Sequence, residues 1–285
     1  MQLDKERVLK IIRASIKEDM PNGDITTDNV VSSDRQTKAV IVANEDCVIC
    51  GMPILEWIIN LIDDSLAFKP LVEDGLKVSA EMEIALIQGN ARGILKAERL
   101  LLNFLSFLSG ISTKTRQYVD KVCEYGTKIL DTRKTLPLLR YLEKYAVYVG
   151  GGTNHRMSLS DMVLIKDNHH CIEKSKIDLN SVREKVQSNI KIEVEIETID
   201  HFKFVIKQNP DIIMLDNMSV KEVTEAITMR NEYQKQTGHR VTLEASGSMI
   251  LDTIEDYAKT GVDTISVGAI TDDIQGADLS LNFLC

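Results

Sequence analysis

The stretch IKIEVEIE (190–197) places a charged side chain at every second position. As a strand it sets Lys191, Glu193, Glu195 and Glu197 on one face and Ile192, Val194 and Ile196 on the other. Strands of a parallel sheet covered by helices are normally apolar on both faces. A carboxylate row against a helix layer would cost several kcal/mol, to order of magnitude, per unpaired charge. The row must therefore face solvent, cations or a wet lumen. VTLEAS (241–246) repeats the pattern, with Thr242, Glu244 and Ser246 opposing Val241, Leu243 and Ala245. Outward from these two runs lie KILDT (128–132), MVLIK (162–166), IIMLDN (212–217) and TISVGA (264–269), separated by helix-periodic segments such as 220–233 and 250–259. Strand and helix in alternation imply a parallel sheet with right-handed crossovers. Six such units, several ending in polar residues, favour a barrel with the carboxylates in its lumen; a doubly wound sheet is the alternative.

The first third has a different texture. Residues 3–17 carry a helical apolar stripe, PNGD (21–24) is a turn, and Asp24 or Thr26 is placed to cap the segment after it. Runs 38–50, 68–78 and 82–88 read as strands of a small antiparallel sheet, with a helix from Gly51-Met52-Pro53 through Ile62. Residues 92–122 are helical, with a break expected near Ser109-Gly110. The domains expected are an α/β sandwich over 1–113, an α/β barrel over 114–274, and a tail, 275–285, returning to the first domain.

A net charge of −9 disfavours general binding to nucleic acid or an anionic membrane. The longest apolar stretch, 100–108, is interrupted by Asn103 and Ser106 and is too short to span a bilayer. MQLDKERVLK opens with mixed charge, so no signal peptide and a cytoplasmic location are expected. Of five cysteines, Cys47 and Cys50 form a CxxC without a second pair, which reads as reduced thiols rather than zinc ligands. Between Asp131 and His170 six Lys or Arg stand against four Asp or Glu, a locally positive segment that suits a small anionic ligand or, equally, a solvated helix face.

In α/β barrels function gathers at the C-terminal strand ends. Here those ends deliver Arg133 and Lys134, then Lys166, Glu195 and Asp216, then Ser246-Gly247-Ser248, then Gly268-Ala269; the loop GGGTNHR (150–156) adds His155 and Arg156. The small residues on the last two strands suit a phosphate. Glu195 and Asp216 suit Mg²⁺ with its waters, or ribose hydroxyls, and could equally pair with Lys134 and Lys166. The cationic set suits a ligand bearing more than one carboxylate or phosphate.

At these residues the chain resembles quinolinate phosphoribosyltransferases. The resemblance runs over nearly the whole sequence, through GDITTD (23–28), AERLLLNFLSFLSGIST (97–113), ILDTRKTLPLLRYLEKYAVYVGGGTNHRMSLSDMVLIKDNH (129–169), EVEIET (193–198), IIMLDNMS (212–219), LEASGSM (243–249) and GVDTISVGAIT (261–271). It implies an N-terminal α/β sandwich on an incomplete α/β barrel, in a homodimer where Arg99 enters the neighbouring site. It implies that Arg133, Lys134, His155 and Arg156 bind quinolinate. Lys166, Glu195 and Asp216 would handle phosphoribosyl pyrophosphate and its Mg²⁺, and Ser246, Gly247 and Gly268 the 5-phosphate. The sequence departs from the family pattern at Ser248, where glycine is usual, and at Asp272, near a frequent histidine; both bear on phosphate binding.

The reaction so implied is phosphoribosyl transfer to quinolinate with release of pyrophosphate and carbon dioxide, giving nicotinate mononucleotide for NAD synthesis. Lys134, Lys166, Glu195 and Asp216 would act on the reacting groups. Three other readings stand beside it. One is a Schiff-base lyase using Lys166. A second is a relative acting on another base such as nicotinate, and the third a barrel that binds a metabolite without turnover.

Overall fold

The computed structural model describes residues 1–173 and 177–284. The chain forms two compact units, one of Met1–Arg116, Leu136–Gly151 and Asp273–Cys285, the other of Gln117–Thr135 and Gly152–Asp272.

In the first unit α1 (Lys5–Asp19) starts at Asp4, whose side chain accepts the Arg7 N–H, and buries Val8, Leu9 and Ile12. Asp24 caps the short α2 (Ile25–Val30) by accepting the Thr27 N–H. The strand expected over 38–50 is two strands, β1 (Gln36–Ala43) and β2 (Cys47–Val48), parted at Glu45-Asp46. Helix α3 (Met52–Ile62) follows Gly51, and Asp74 Oδ1 accepts the Gly51 and Met52 N–H groups, both at 2.9 Å. The expected strand 68–78 also divides, into β3 (Ala67–Pro70) and β4 (Lys77–Val78), which join different sheets: β3 pairs with β5 (Glu83–Asn90) and β4 with β2.

Helix α4 (Ala91–Val122) is continuous through Ser109-Gly110, where a break was expected. Both residues are small because neighbours press on them. Ser109 Oγ accepts the Cys50 N–H at 3.0 Å, and a Cβ on Gly110 would lie 2.2 Å from the Gln275 carbonyl oxygen. Alanine normally stabilises a helix interior by about 1 kcal/mol over glycine. Gly110→Ala is nevertheless expected to lower unfolding stability by about 1–3 kcal/mol, since backbone must move; a denaturation midpoint at or above wild type would refute this.

After β6 (Lys128–Leu130), the segment Leu136–Gly151 leaves the barrel and belongs to the first unit, a correction to the barrel boundaries of 114–274 expected from sequence. Its helix α5 (Arg140–Val149) explains why. Tyr141 OH accepts the Asp4 N–H (2.7 Å), Tyr145 OH donates to Asp74 (2.7 Å), and the Ala146 carbonyl accepts from Ser112 Oγ (2.9 Å). Two of the six cations in the locally positive segment, Arg140 and the fully buried Lys144, thus lie in this unit.

The second unit continues with β7 (Val163–Ile165), α6 (Asp167–Glu173), α7 (Leu179–Lys185), β8 (Ile192–Ile196), α8 (Ile199–Val205) and β9 (Ile212–Asp216). It ends with α9 (Val220–Thr237), β10 (Thr242–Ser246), α10 (Ile254–Lys259), β11 (Thr264–Ser266) and α11 (Ala269–Asp272). The strand order is β6-β11-β10-β9-β8-β7, and every pairing is parallel. The first strand pairs with the last and the rest follow in sequence, as in a singly wound barrel; a doubly wound sheet reverses direction at a switch point. Strands β6 and β7 do not pair, so the barrel is incomplete. At the free side of β6, Thr153 donates to the Ile129 carbonyl (2.8 Å), and its own carbonyl accepts the Asp131 N–H (3.3 Å).

The tail supplies β12 (Leu279–Phe283), which pairs antiparallel with β1 and completes the sheet β12-β1-β5-β3. Among the described residues no helix is long and apolar enough to cross a membrane.

Candidate active site

Every residue of β8 is buried, including Glu193 and Glu195, as are Glu244 on β10 and Ser266 on β11. The alternating carboxylates therefore face the lumen. At the C-terminal ends of the strands the lumen opens into a cavity of about 810 Å³, lined wholly by residues of the second unit.

The cationic wall begins where β6 ends. Asp131, completely buried, accepts the His155 N–H (2.8 Å) and the Asn154 side-chain amide (2.6 Å), turning the end of the glycine-rich loop toward the cavity. Asp161 accepts the N–H groups of Met157 (2.7 Å) and Ser158 (3.0 Å), and Arg156 Nη1 donates to the Met162 carbonyl (3.1 Å). Burial, and then the neighbouring Arg133 guanidinium, lower the Arg156 pKa. Two guanidiniums held this close destabilise each other until an anion lies between them. Arg133 Nε is buried without a hydrogen-bond partner among the described residues. Lys134 is held by its backbone: its N–H donates to Thr132 Oγ1 (3.0 Å) and its carbonyl accepts from Thr271 Oγ1 (2.7 Å).

On the neighbouring strand ends Lys166 ion-pairs with Glu195, whose side chain is 8% exposed. Asp216 accepts a 2.8 Å bond from the Asn217 side chain. Glu195 and Asp216 thus end adjacent parallel strands with hard oxygen atoms toward the cavity. Next around the rim is Ser246-Gly247-Ser248. Gly247 has φ 124°, and a Cβ there would lie 2.5 Å from Asn217 Oδ1, so only glycine fits this turn. A Cβ on Gly268 would lie 3.1 Å from both Lys134 Cδ and Asp272 Oδ2, which brings the last loop against the cationic wall.

The cavity thus gathers Arg133, Lys134, His155, Arg156, Lys166, Glu195, Asp216, Ser246, Gly247, Ser248, Gly268 and Ala269. Ser248 and Asp272 also line it. Arg99 does not: it is exposed on the first unit, in a separate concavity with Lys96, Asp19 and Asp24. Asp167, Glu197, Asn217 and Ser266 line the cavity too, although sequence reasoning assigns them no role. Strand parity carries the signal for Glu197, and a polar residue inside the otherwise apolar run 264–269 carries it for Ser266. Below the cavity His155 Nε2 lies 3.2 Å from Glu193 and 3.6 Å from Glu244, a cluster that parity places in the lumen but to which it gives no partner.

Fold and site together define an incomplete α/β barrel enzyme whose mouth joins an arginine-rich wall, a lysine–carboxylate wall and glycine turns. Two family models match the chain: the quinolinate phosphoribosyl transferase N-terminal domain over residues 24–109 and the C-terminal domain over 111–282. The chain belongs to the quinolinate phosphoribosyl transferase family. It is 39% identical to a probable carboxylating nicotinate-nucleotide pyrophosphorylase of Methanocaldococcus jannaschii, covering 98% of both chains. It is 37% identical to the corresponding protein of Mycobacterium leprae, covering 95% of both. Among solved structures, the nicotinate-nucleotide pyrophosphorylase of Francisella tularensis is 39% identical, with a TM-score of 0.90 over 99% of this chain and 98% of that one. That of Ehrlichia chaffeensis is 35% identical, with a TM-score of 0.91 over 99% and 100%.

Proposed function

We propose that this protein transfers the phosphoribosyl group of phosphoribosyl pyrophosphate to quinolinate, with loss of carbon dioxide, to give nicotinate mononucleotide in NAD biosynthesis. The observation that carries this reading is the joining, at one barrel mouth, of the paired Arg133 and Arg156 with a glycine-turn rim and a Lys166–Glu195 pair. Arginine forks match the two carboxylates of the ring and would hold its nitrogen toward the sugar. The nitrogen lone pair forms a bond to the anomeric carbon as the carbon–oxygen bond to pyrophosphate breaks. Positive charge that builds on the sugar is stabilised by Glu195 and Asp216. Lys166 and Lys134 attract the departing pyrophosphate. The quaternised ring then accepts the electron pair released when the adjacent carboxylate leaves as carbon dioxide, and that carbon takes a proton from solvent. The backbone N–H groups at Ser246-Gly247 and Gly268-Ala269 would hold the 5-phosphate.

The donor set fits Mg²⁺, which is held by one or two carboxylates and completed by waters and substrate phosphates. Glu195 and Asp216 would bind it, and it would neutralise pyrophosphate charge. A homodimer would bring Arg99 of each subunit to the other's cavity; its exposure and its absence from the lining of the cavity support that role. The free, buried thiols of Cys47 and Cys50 fit a reducing compartment such as the cytoplasm.

The test is pyrophosphate release from phosphoribosyl pyrophosphate with quinolinate or nicotinate as acceptor. Leaving a charged pair of arginines half-satisfied should cost nicotinate about two decades or more in kcat/KM. Equal rates with the two acceptors, or none with quinolinate, would reject the reading.

A further inference from the structure

The His155 ring is held from below. Its Nδ1 accepts the Arg156 backbone N–H at 2.7 Å, so the ring proton sits on Nε2. Nε2 lies 3.2 Å from Glu193 Oε2 and 3.6 Å from Glu244 Oε1, ion-pair distances; among the described residues neither Glu193 oxygen is in hydrogen-bond geometry. Glu193 is completely buried and Glu244 is 1% exposed; neither lines the cavity. They come from β8 and β10, on either side of β9. Ser266 Oγ donates to Glu244 from the next strand. Carboxylates at this depth have no solvent to share: Glu244 is met by the Ser266 hydroxyl, while Glu193 has only the charge contact with the His155 ring among the described residues.

We propose that Glu193 and Glu244 are positioning residues: facing the His155 ring from beneath the cavity, they fix its tautomer and orientation and, through Nδ1, the backbone that presents Arg156. The chain of contacts runs from the strands to the ligand wall without a flexible step. Glu193 and Glu244 are locked by strand register, His155 by its backbone bond to Asp131, and Arg156 by His155 Nδ1 and the Met162 carbonyl. Burial first, and then the nearby Glu193 charge, push the Glu244 carboxyl above the usual range, while His155 and the Ser266 bond act the other way. Of the two carboxylates Glu193 is the nearer to Nε2, at 3.2 Å against 3.6 Å. Loss of the carboxylate facing Nε2 removes one restraint on the ring, which weakens the Nδ1 contact with the Arg156 N–H and with it the placement of the guanidinium. Supporting shells of this kind matter because misplacement by about 1 Å can lower the rate a hundredfold.

The proposal deepens the quinolinate reading only in its kinetic arm. In the spectroscopic arm, ¹⁵N-labelled His155 in the full-length protein is expected to show one Nε2–H tautomer at neutral pH. Glu193→Leu removes the acceptor at similar volume; the ring signals should move to mixed-tautomer values. Glu193→Gln retains an acceptor oxygen and should restore the single tautomer, which also covers the case where the leucine variant does not fold. In the kinetic arm, Glu193→Leu should raise the KM for quinolinate by about tenfold or more while the KM for phosphoribosyl pyrophosphate moves less than about threefold, and Glu193→Gln should lie between it and wild type. Glu244→Leu should act in the same direction as Glu193→Leu. Unchanged ring signals in both leucine variants, or a protonated Nδ1 in the wild type, would overturn the proposal whatever the substrate proves to be. Equal rises in both KM values would overturn the claim that the pair serves the ring-binding wall.

Discussion

Arg133→Ala is expected to lower kcat/KM for quinolinate by about two to three decades with the fold intact. Arg133 follows β6 and lines the cavity, and its Nε is buried without a hydrogen-bond partner among the described residues. A buried donor of this kind persists in a fold when function requires it. Losing a charge-assisted bond to a carboxylate costs about 2–4 kcal/mol in transition-state stabilisation, and each ~1.4 kcal/mol is tenfold in rate. Arg156, relieved of its neighbouring like charge, should rise in pKa toward its ordinary value, but one fork cannot hold two carboxylates. The loss should appear mainly in the quinolinate terms. Steady-state kinetics with each substrate varied will check this, and kcat/KM within threefold of wild type would remove Arg133 from the site.

Lys166→Ala is expected to reduce turnover by about three decades. Two effects act together. Removing a cation from the developing pyrophosphate charge resembles loss of an oxyanion donor, about two to three decades by itself. In addition Glu195, 8% exposed, loses its ion-pair partner and becomes an uncompensated carboxylate beside an anionic substrate. The variant also separates the competing chemistries. If Lys166 formed a Schiff base, borohydride would trap substrate on the wild-type enzyme and not on the variant; under phosphoribosyl transfer no adduct forms in either. Mixing Lys166→Ala with Arg99→Ala subunits tests the shared site. A mixed dimer contains one cavity with neither substitution and should recover activity; no recovery would confine Arg99 to its own subunit.

Much of this site is legible before folding because strand parity is strict. Every second residue of IKIEVEIE faces one way, and burying the apolar set leaves the carboxylates only the lumen. The same parity turns Glu244 inward, where the fold brings Ser266 to it, and glycine at 247 anticipates a turn in which a Cβ would meet Asn217. Element boundaries are less legible. The run 38–50 looks continuous in composition, yet it divides where Asp46 turns to accept the Ala80 N–H at 3.0 Å, a contact spanning 34 residues. The helix break expected at Ser109-Gly110 fails for a similar reason, since glycine there answers the Gln275 carbonyl and not a local turn.

Local periodicity and residue chemistry thus determined the alternation of elements, the lumenal face of β8 and β10 and more than half of the cavity's polar residues, because those depend on neighbours one to four positions away. Tertiary structure alone decided that Leu136–Gly151 belongs with the first unit, that β6 and β7 do not pair, and that His155 meets Glu193 and Glu244. Those outcomes rest on contacts between residues far apart in the chain, where burial and pairing geometry outweigh anything local sequence prefers.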